Sequence, residues 1–130
     1  MEAYDWQGTL EACQITLRLD PDHLGALETL AQAQWFAGRY DDVIATTSRL
    51  LRLNPLEPGY RYTRGMAHLS NGDLALAQQD FRTALAQSDN AEFRAQVSSS
   101  MSALEEWIVN LPMRTSRFSS QLVSPLGRLN

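Results

Sequence analysis

The stretch "WFAGRYDD", residues 35–42, decides the fold of this chain. In it a glycine interrupts an apolar run and is followed at once by an aromatic residue and two acids. A similar order recurs in "LSNGDLAL", residues 69–76, where Gly72 lies 34 residues after Gly38. Glycine suits the left-handed residue that ends a helix, and acids favour the start of the next helix. Each stretch therefore predicts a turn between two helices.

The 34-residue interval extends beyond these two turns. "LRLDP" at residues 17–21 recurs as "LRLNP" at residues 51–55. Within one interval, Val43, Thr47 and Leu50 follow the three-and-four spacing of a helix face. A repeat of this length, made of two helices, indicates a solenoid in which neighbouring units cover one another's apolar faces.

The chain resembles the tetratricopeptide repeat family over roughly residues 4–89. The clearest match is "YRYTRGMAHLSNGDLALAQQDFRTAL", residues 60–85, where Gly65 takes the small slot of the first helix and Ala77 the close crossing of the two helices. The resemblance implies an all-α fold, a short right-handed superhelix of antiparallel helix pairs. It divides this part of the chain into a half repeat at 4–21 and two repeats at 22–55 and 56–89.

A different register follows the repeats. From Phe93 to Leu111 the apolar residues step by three and four, which predicts one amphipathic capping helix at 91–111 that ends at Pro112. Residues 1–111 would then form one repeat domain. Residues 112–130 hold three arginines and no acid, and we interpret them as an extended or disordered basic tail. The predicted helices span roughly 5–19, 23–37, 40–53, 57–70, 73–87 and 91–110.

The apolar runs and the charge of the chain indicate which classes of partner to exclude. Among the 130 residues, no apolar run approaches the ~20 residues of a membrane-spanning helix. Residues 1–111 hold eight arginines and all fifteen acids, a net charge of −7, whereas phosphate binding needs clustered cations. We therefore expect no membrane and no nucleic acid as partner. The lone cysteine and the lack of a secretory signal favour the cytoplasm.

Few residues are candidates for chemistry. His68 occupies a packing slot of the repeat, His23 lies at a helix start, and Cys13 lies on a packing face, so we interpret all three as structural. The sequence holds no glycine-rich phosphate loop, nucleophile elbow or ladder of metal ligands. We expect no catalytic residue, no metal and no cofactor, hence no enzyme.

The resemblance also implies a binding surface. In the family, the first helix of each unit lines a concave groove where peptides bind. Carried over slot by slot, the groove residues of this chain are Glu28, Gln32, Trp35, Phe36, Tyr62, Met66 and Leu69. Alternatively, Trp35 and Phe36 only pack against the neighbouring unit. Arg61 and Arg64 are candidates for holding a ligand carboxylate singly.

The implied function is a non-catalytic protein–protein interaction scaffold that binds a partner peptide or helix in the concave groove. The alternative is self-association, as an assembly or regulatory domain of a larger protein, because the first unit has only its second helix. That helix carries an apolar face that a preceding helix would cover, made of Trp6, Leu10, Cys13 and Leu17. In a complete solenoid the preceding helix would cover part of this face, so we expect something else to cover it here.

Three things are candidates to cover that face: residues removed from the chain, a second copy, or the tail. The apolar residues of the tail are Phe118, Leu122, Val123 and Leu126. Large exposed apolar patches are rare on monomers, and two-fold pairing is the commonest closed symmetry. We therefore expect a weak homodimer.

Overall fold

The computed structural model describes residues 4–115, and these residues form six helices and no strand. The helices are α1 (Trp6–Leu19), α2 (Leu24–Phe36), α3 (Tyr40–Leu53), α4 (Pro58–Ser70), α5 (Leu74–Gln87) and α6 (Ala91–Thr115). The predicted bounds of α1 to α5 agree with these to within one residue at each end. The predicted all-α class is confirmed.

Each helix from α1 to α4 packs against the next one along the chain, so that short turns join successive helical hairpins. The chain divides into two units at Val97–Ser98, the first of which contains α1 to α5 and the start of α6. The division that we predicted, into residues 1–111 and 112–130, stays a prediction. Residues 116–130, where most of the predicted tail falls, lie outside the described residues.

The two glycine turns have the predicted backbone geometry. Gly38 has a φ of 74° and Gly72 a φ of 83°, both in the left-handed region that favours glycine. After each glycine the next amide reaches back to the preceding helix. The Arg39 N–H donates to the Gln34 carbonyl and the Asp73 N–H to the His68 carbonyl, each at 2.9 Å. These bonds satisfy carbonyls that the helix end would leave unpaired.

A close helix crossing lies between α4 and α5, as the register predicted. A Cβ atom at Gly65 would lie 2.6 Å from the Phe81 ring and 3.3 Å from the Ala77 carbonyl oxygen. Ala77, Phe81 and Ala84 are fully buried. The hydrogen atom at position 65 thus lets the phenylalanine ring fill the space between the two helices.

One pair of slots is polar in both repeats. In the second unit the buried Thr46 hydroxyl donates to the side-chain oxygen of Gln34 at 2.8 Å. In the next unit, 34 residues later, the same slots hold His68 and Asp80, whose Nε2 and Oδ2 atoms lie 3.8 Å apart. Both repeats therefore place two buried polar side chains beside each other at the same pair of positions.

The apolar face of α1 packs against α2, a cover that we did not consider among the three candidates. Leu10 and Cys13 are buried in one cluster with Leu30 and Ala33 of α2. Trp6 and Leu17, the other members of the face, are partly buried against the same cluster. The helix that follows α1, folded back by a short turn, covers the face that we had assigned to a preceding helix.

The stripe predicted for α6 alternates with exposed residues as an amphipathic helix should. Val97 and Leu104 are buried, whereas Glu105 and Glu106 are exposed. The half-buried members of the stripe are Phe93, Met101 and Ile108. Leu111 falls outside the described side chains.

Although we predicted that Pro112 would end α6, the helix continues to Thr115. Proline removes one N–H donor and crowds the carbonyl four residues earlier, but its φ is near the helical value, so the backbone can stay helical at that cost. A proline in a helical pattern therefore marks a weakened place rather than a certain end.

Replacing Ala77 with leucine should lower the free energy of unfolding by roughly 1–3 kcal/mol, because the added carbons have no room at the α4–α5 crossing. Thermal melting followed by circular dichroism measures the loss. Ala75→Leu is the matched control, since Ala75 is exposed on the same helix. Equal melting temperatures for the two variants would contradict the packing described here.

Candidate functional site

A cleft of about 470 Å³ opens between α2 and α4, with α3 behind it. We call it the cleft. Its lining residues are Glu28, Ala31, Gln32, Trp35 and Phe36 of α2, Thr47 and Leu50 of α3, and Tyr60, Tyr62, Thr63 and Met66 of α4. On both outer helices these residues recur three or four positions apart, which places them on one helix face.

Six of the seven predicted groove residues line the cleft, and Leu69 does not. The other five residues that line the cleft were not predicted from the sequence, and they are of two kinds. Ala31, Thr47 and Leu50 sit in packing slots of the repeat, so their periodicity predicted burial rather than exposure to a cleft. Tyr60 and Thr63 lie on α4 beside the predicted slots, and their place in the helical spacing with Tyr62 and Met66 was the available signal.

Aromatic rings form the walls of the cleft, and other rings hold them from the outside. Trp35 meets Tyr40 edge-on, with the ring centroids 5.1 Å apart. Tyr62 packs against Phe81 at 5.8 Å and against Phe93 at 5.9 Å. Edge and tilted contacts of this kind stabilise a fixed ring orientation. The walls are therefore in place before any ligand arrives.

Phe36 stands at the rim and is the most exposed wall residue. Its side chain is 56% exposed, and its ring lies 4.8 Å from the ring of Tyr4. An exposed phenylalanine beside a cleft of aromatic rings extends the apolar surface that a ligand can cover.

A hydrogen bond spans the polar end of the cleft. The Tyr60 hydroxyl donates to Glu28 Oε2 at 2.6 Å, which joins α4 to α2. Burial and then this hydrogen bond raise the pKa of Tyr60 from 10.0 to about 12. At neutral pH the phenol is therefore protonated and remains a donor. A carboxylate has further acceptor sites, so Glu28 can accept other donors as well.

The two arginines that we considered as carboxylate holders face Asp80 instead. Arg64 donates to both oxygens of Asp80, from Nε at 2.8 Å and from Nη2 at 2.9 Å. Arg61 Nη1 lies 3.7 Å from Asp80 Oδ1. Asp80 is buried, and the hydrogen bond to it raises the pKa of Arg64. Neither arginine is among the residues that line the cleft.

A second groove, of about 590 Å³, lies between α1 and α2. We call it the α1–α2 groove. Its residues are mostly small: Asp5, Gly8, Thr9, Ala12, Cys13 and Thr16 on the α1 side, and His23, Gly25, Ala26 and Thr29 on the α2 side. The hydroxyls of Thr9, Thr16 and Thr29 each donate to a carbonyl four residues earlier. These three hydroxyls are therefore already bonded within their own helices, and the small side chains of the groove leave room for another chain to approach the backbone.

The residues that we considered for chemistry have structural roles. His23 caps α2, where its Nδ1 accepts from the Ala26 N–H at 3.0 Å. His68 is buried between Asp73 and Asp80. Cys13 is buried in the α1–α2 cluster, and burial raises the pKa of its thiol, which disfavours the reactive thiolate.

A search of the described part of the chain finds no group of three or more side chains able to hold a metal ion. Among the helices within residues 4–115, none is both long and apolar enough to span a bilayer.

The fold matches solved structures. One is the type III secretion translocator chaperone SycD of Yersinia enterocolitica, with a TM-score of 0.72 and 22% identity over 77% of this chain and 72% of that one. Another is SycD in complex with a peptide of the translocator YopD, with a TM-score of 0.72 and 22% identity over 77% and 79% of the two chains. No family model and no curated protein sequence matches. Together with the helix pairs, the likeness confirms the predicted tetratricopeptide-type helical fold.

Changing Tyr60 to phenylalanine should flatten the alkaline loss of stability. Because the folded pKa of Tyr60 is raised to about 12 from 10.0, its contribution is complete below pH 10 and is lost as the pH rises through about 12. Denaturant titrations at several pH values across this window measure the slope. Tyr4→Phe, at an exposed phenol, is the control and should follow the parent protein. A slope that is unchanged in Tyr60→Phe would contradict this account.

Proposed function

We propose that this chain is a non-catalytic scaffold of the tetratricopeptide repeat family that binds a peptide or helix of a partner protein in the cleft. The observation that carries the proposal is the set of aromatic walls held in place by rings behind them, Trp35 by Tyr40 and Tyr62 by Phe81. A preformed apolar surface binds without first losing side-chain freedom. The fold shared with SycD, which has been seen with a bound peptide, supports the same role.

The shape and chemistry of the cleft suit a peptide better than a small polar metabolite. Two helices of successive repeats line it, so apolar side chains along a peptide can meet Trp35 on one side and Met66 on the other. Gln32 and Thr63 lie among these apolar residues and supply groups for the polar backbone of a peptide. Clefts of this composition are the usual form of binding sites.

The proposed role is binding alone, without catalysis, cofactor or metal. His23 is a helix cap, and His68 and Cys13 are buried away from the residues that line the cleft. We further propose a cytoplasmic location, since a single buried cysteine suits a reducing compartment.

Trp35→Ala and Met66→Ala should each weaken peptide binding by about tenfold or more, because buried aromatic and apolar anchors dominate such contacts. Peptides selected from a random library on the immobilised protein serve as ligands, and fluorescence anisotropy gives their dissociation constants. Circular dichroism verifies that the variants remain helical. Trp107→Ala is the control, since Trp107 is 41% exposed on α6 and lies outside the cleft-lining residues. Full affinity in both cleft variants would refute a peptide-binding cleft.

Self-association is the second candidate, favoured by the α1–α2 groove. In the second and third units, the packing slots of the second helix are fully covered, as at Val43 and Ala77. Thr9 takes the same slot on α1 but lines the groove and is only half-buried. We propose that a helix of a second copy packs in this groove to form the weak homodimer.

Sedimentation at micromolar concentration should show a monomer–dimer equilibrium, and Ala12→Glu should shift it towards monomer by placing a charge in the groove. Ala45→Glu is the control, since Ala45 is an exposed alanine on α3. A parent protein that sediments as a monomer at every concentration would rule out the dimer.

A further inference from the structure

The formal charge of the residues that line the cleft is negative. Among the described residues that line it, Glu28 is the one with a formally charged side chain. Its position is fixed, because Tyr60 donates to Oε2 at 2.6 Å from the facing helix. Glu28 is also exposed, so its charge is available to a ligand in the cleft.

The two arginines of α4 do not offset this charge. Arg61 and Arg64 belong to α4, the helix that also supplies Tyr62 and Met66 to the cleft, but both pair with Asp80 of α5. Arg64 holds both oxygens of Asp80 and also donates to Ser48 Oγ at 3.1 Å. A guanidinium committed to a buried carboxylate in this way is held by strong, directional bonds.

A ligand carboxylate in the cleft would therefore meet Glu28 without a lining cation to pair with it, and like charges across an interface oppose binding. A ligand ammonium or guanidinium would meet a carboxylate that is already oriented. The remaining lone pairs of Glu28 can accept its N–H groups while Tyr60 keeps its own bond.

We infer that Glu28 makes the cleft selective for a peptide that carries a lysine or arginine beside its apolar anchors. This rests on the proposed peptide-binding function and deepens it, because it names the charge of the ligand. Glu28 acts as a specificity-determining residue, and the aromatic walls supply most of the affinity.

The probe is a random dodecapeptide library displayed on phage and selected on the full chain. One selected peptide is then synthesised in three forms, with its cationic residue kept, changed to methionine, or changed to glutamate. The parent protein should enrich lysine or arginine at a fixed distance from apolar residues. It should bind the cationic form roughly threefold to fivefold more tightly than the methionine form, and the glutamate form more weakly still.

Glu28→Gln should bring the affinities for the cationic and methionine forms to within about twofold of each other, because the amide keeps an acceptor for Tyr60 but has no charge. Glu28→Arg should favour the glutamate form. Glu11→Gln, which removes the same charge from an exposed position on α1, should behave like the parent protein. Melting curves of all variants verify the fold.

The outcomes separate the two proposals. Selected peptides that depend on Trp35 but show no cationic preference, or a preference that persists in Glu28→Gln, would overturn this inference and leave the peptide-binding function standing. A selection that yields no Trp35-dependent peptide would overturn both.

Discussion

The close approach of α4 and α5 at Gly65 is the contact on which the rest of the third repeat depends. Only a hydrogen atom at that position lets the Phe81 ring enter, and the ring then fills the core beside Ala77. Phe81 also supports Tyr62 from behind, at 5.8 Å between the rings. The core and the cleft therefore depend on the same residue, because Phe81 fills the core and also supports Tyr62 in the wall of the cleft.

The second unit fills the same packing slots with side chains of different volume. Its slots hold Ala31 where the third unit has Gly65, Val43 where it has Ala77, and Thr47 where it has Phe81. A large ring in one unit is replaced by two medium-sized side chains in the other, at comparable burial. This exchange is what close packing requires, since interiors tolerate a change of shape better than a change of volume.

Periodicity predicted most of the fold. The 34-residue interval placed five helices to within a residue, since glycine turns and helix faces are local properties of the chain. It did not predict the end of α6, because a helical backbone can continue through Pro112. Nor did it show that α2 would cover Leu10 and Cys13, which depends on how helices stack rather than on the spacing within one helix.

The candidate site was partly predictable for the same reason. Six groove residues followed from their slots on two first helices. The bond between Tyr60 and Glu28 joins positions that differ by 32 residues, which is not the repeat interval, so no periodic signal pairs them. The pairing of Arg61 and Arg64 with Asp80 could not be predicted, because Asp80 lies on another helix. The preceding unit gives no hint of it, since the uncharged Thr46 stands at the corresponding position.

The difference between Thr46 in the second unit and Asp80 in the third has a consequence for recombination between the two repeats. Duplicating α2 in place of α4 would keep the helix length and the interval, but would put Leu30 where Arg64 pairs with Asp80. The buried carboxylate would then face an apolar side chain, and an uncompensated buried charge is strongly destabilising. The arginine and the aspartate must therefore be inherited together, so α4 and α5 would have to be copied as one hairpin.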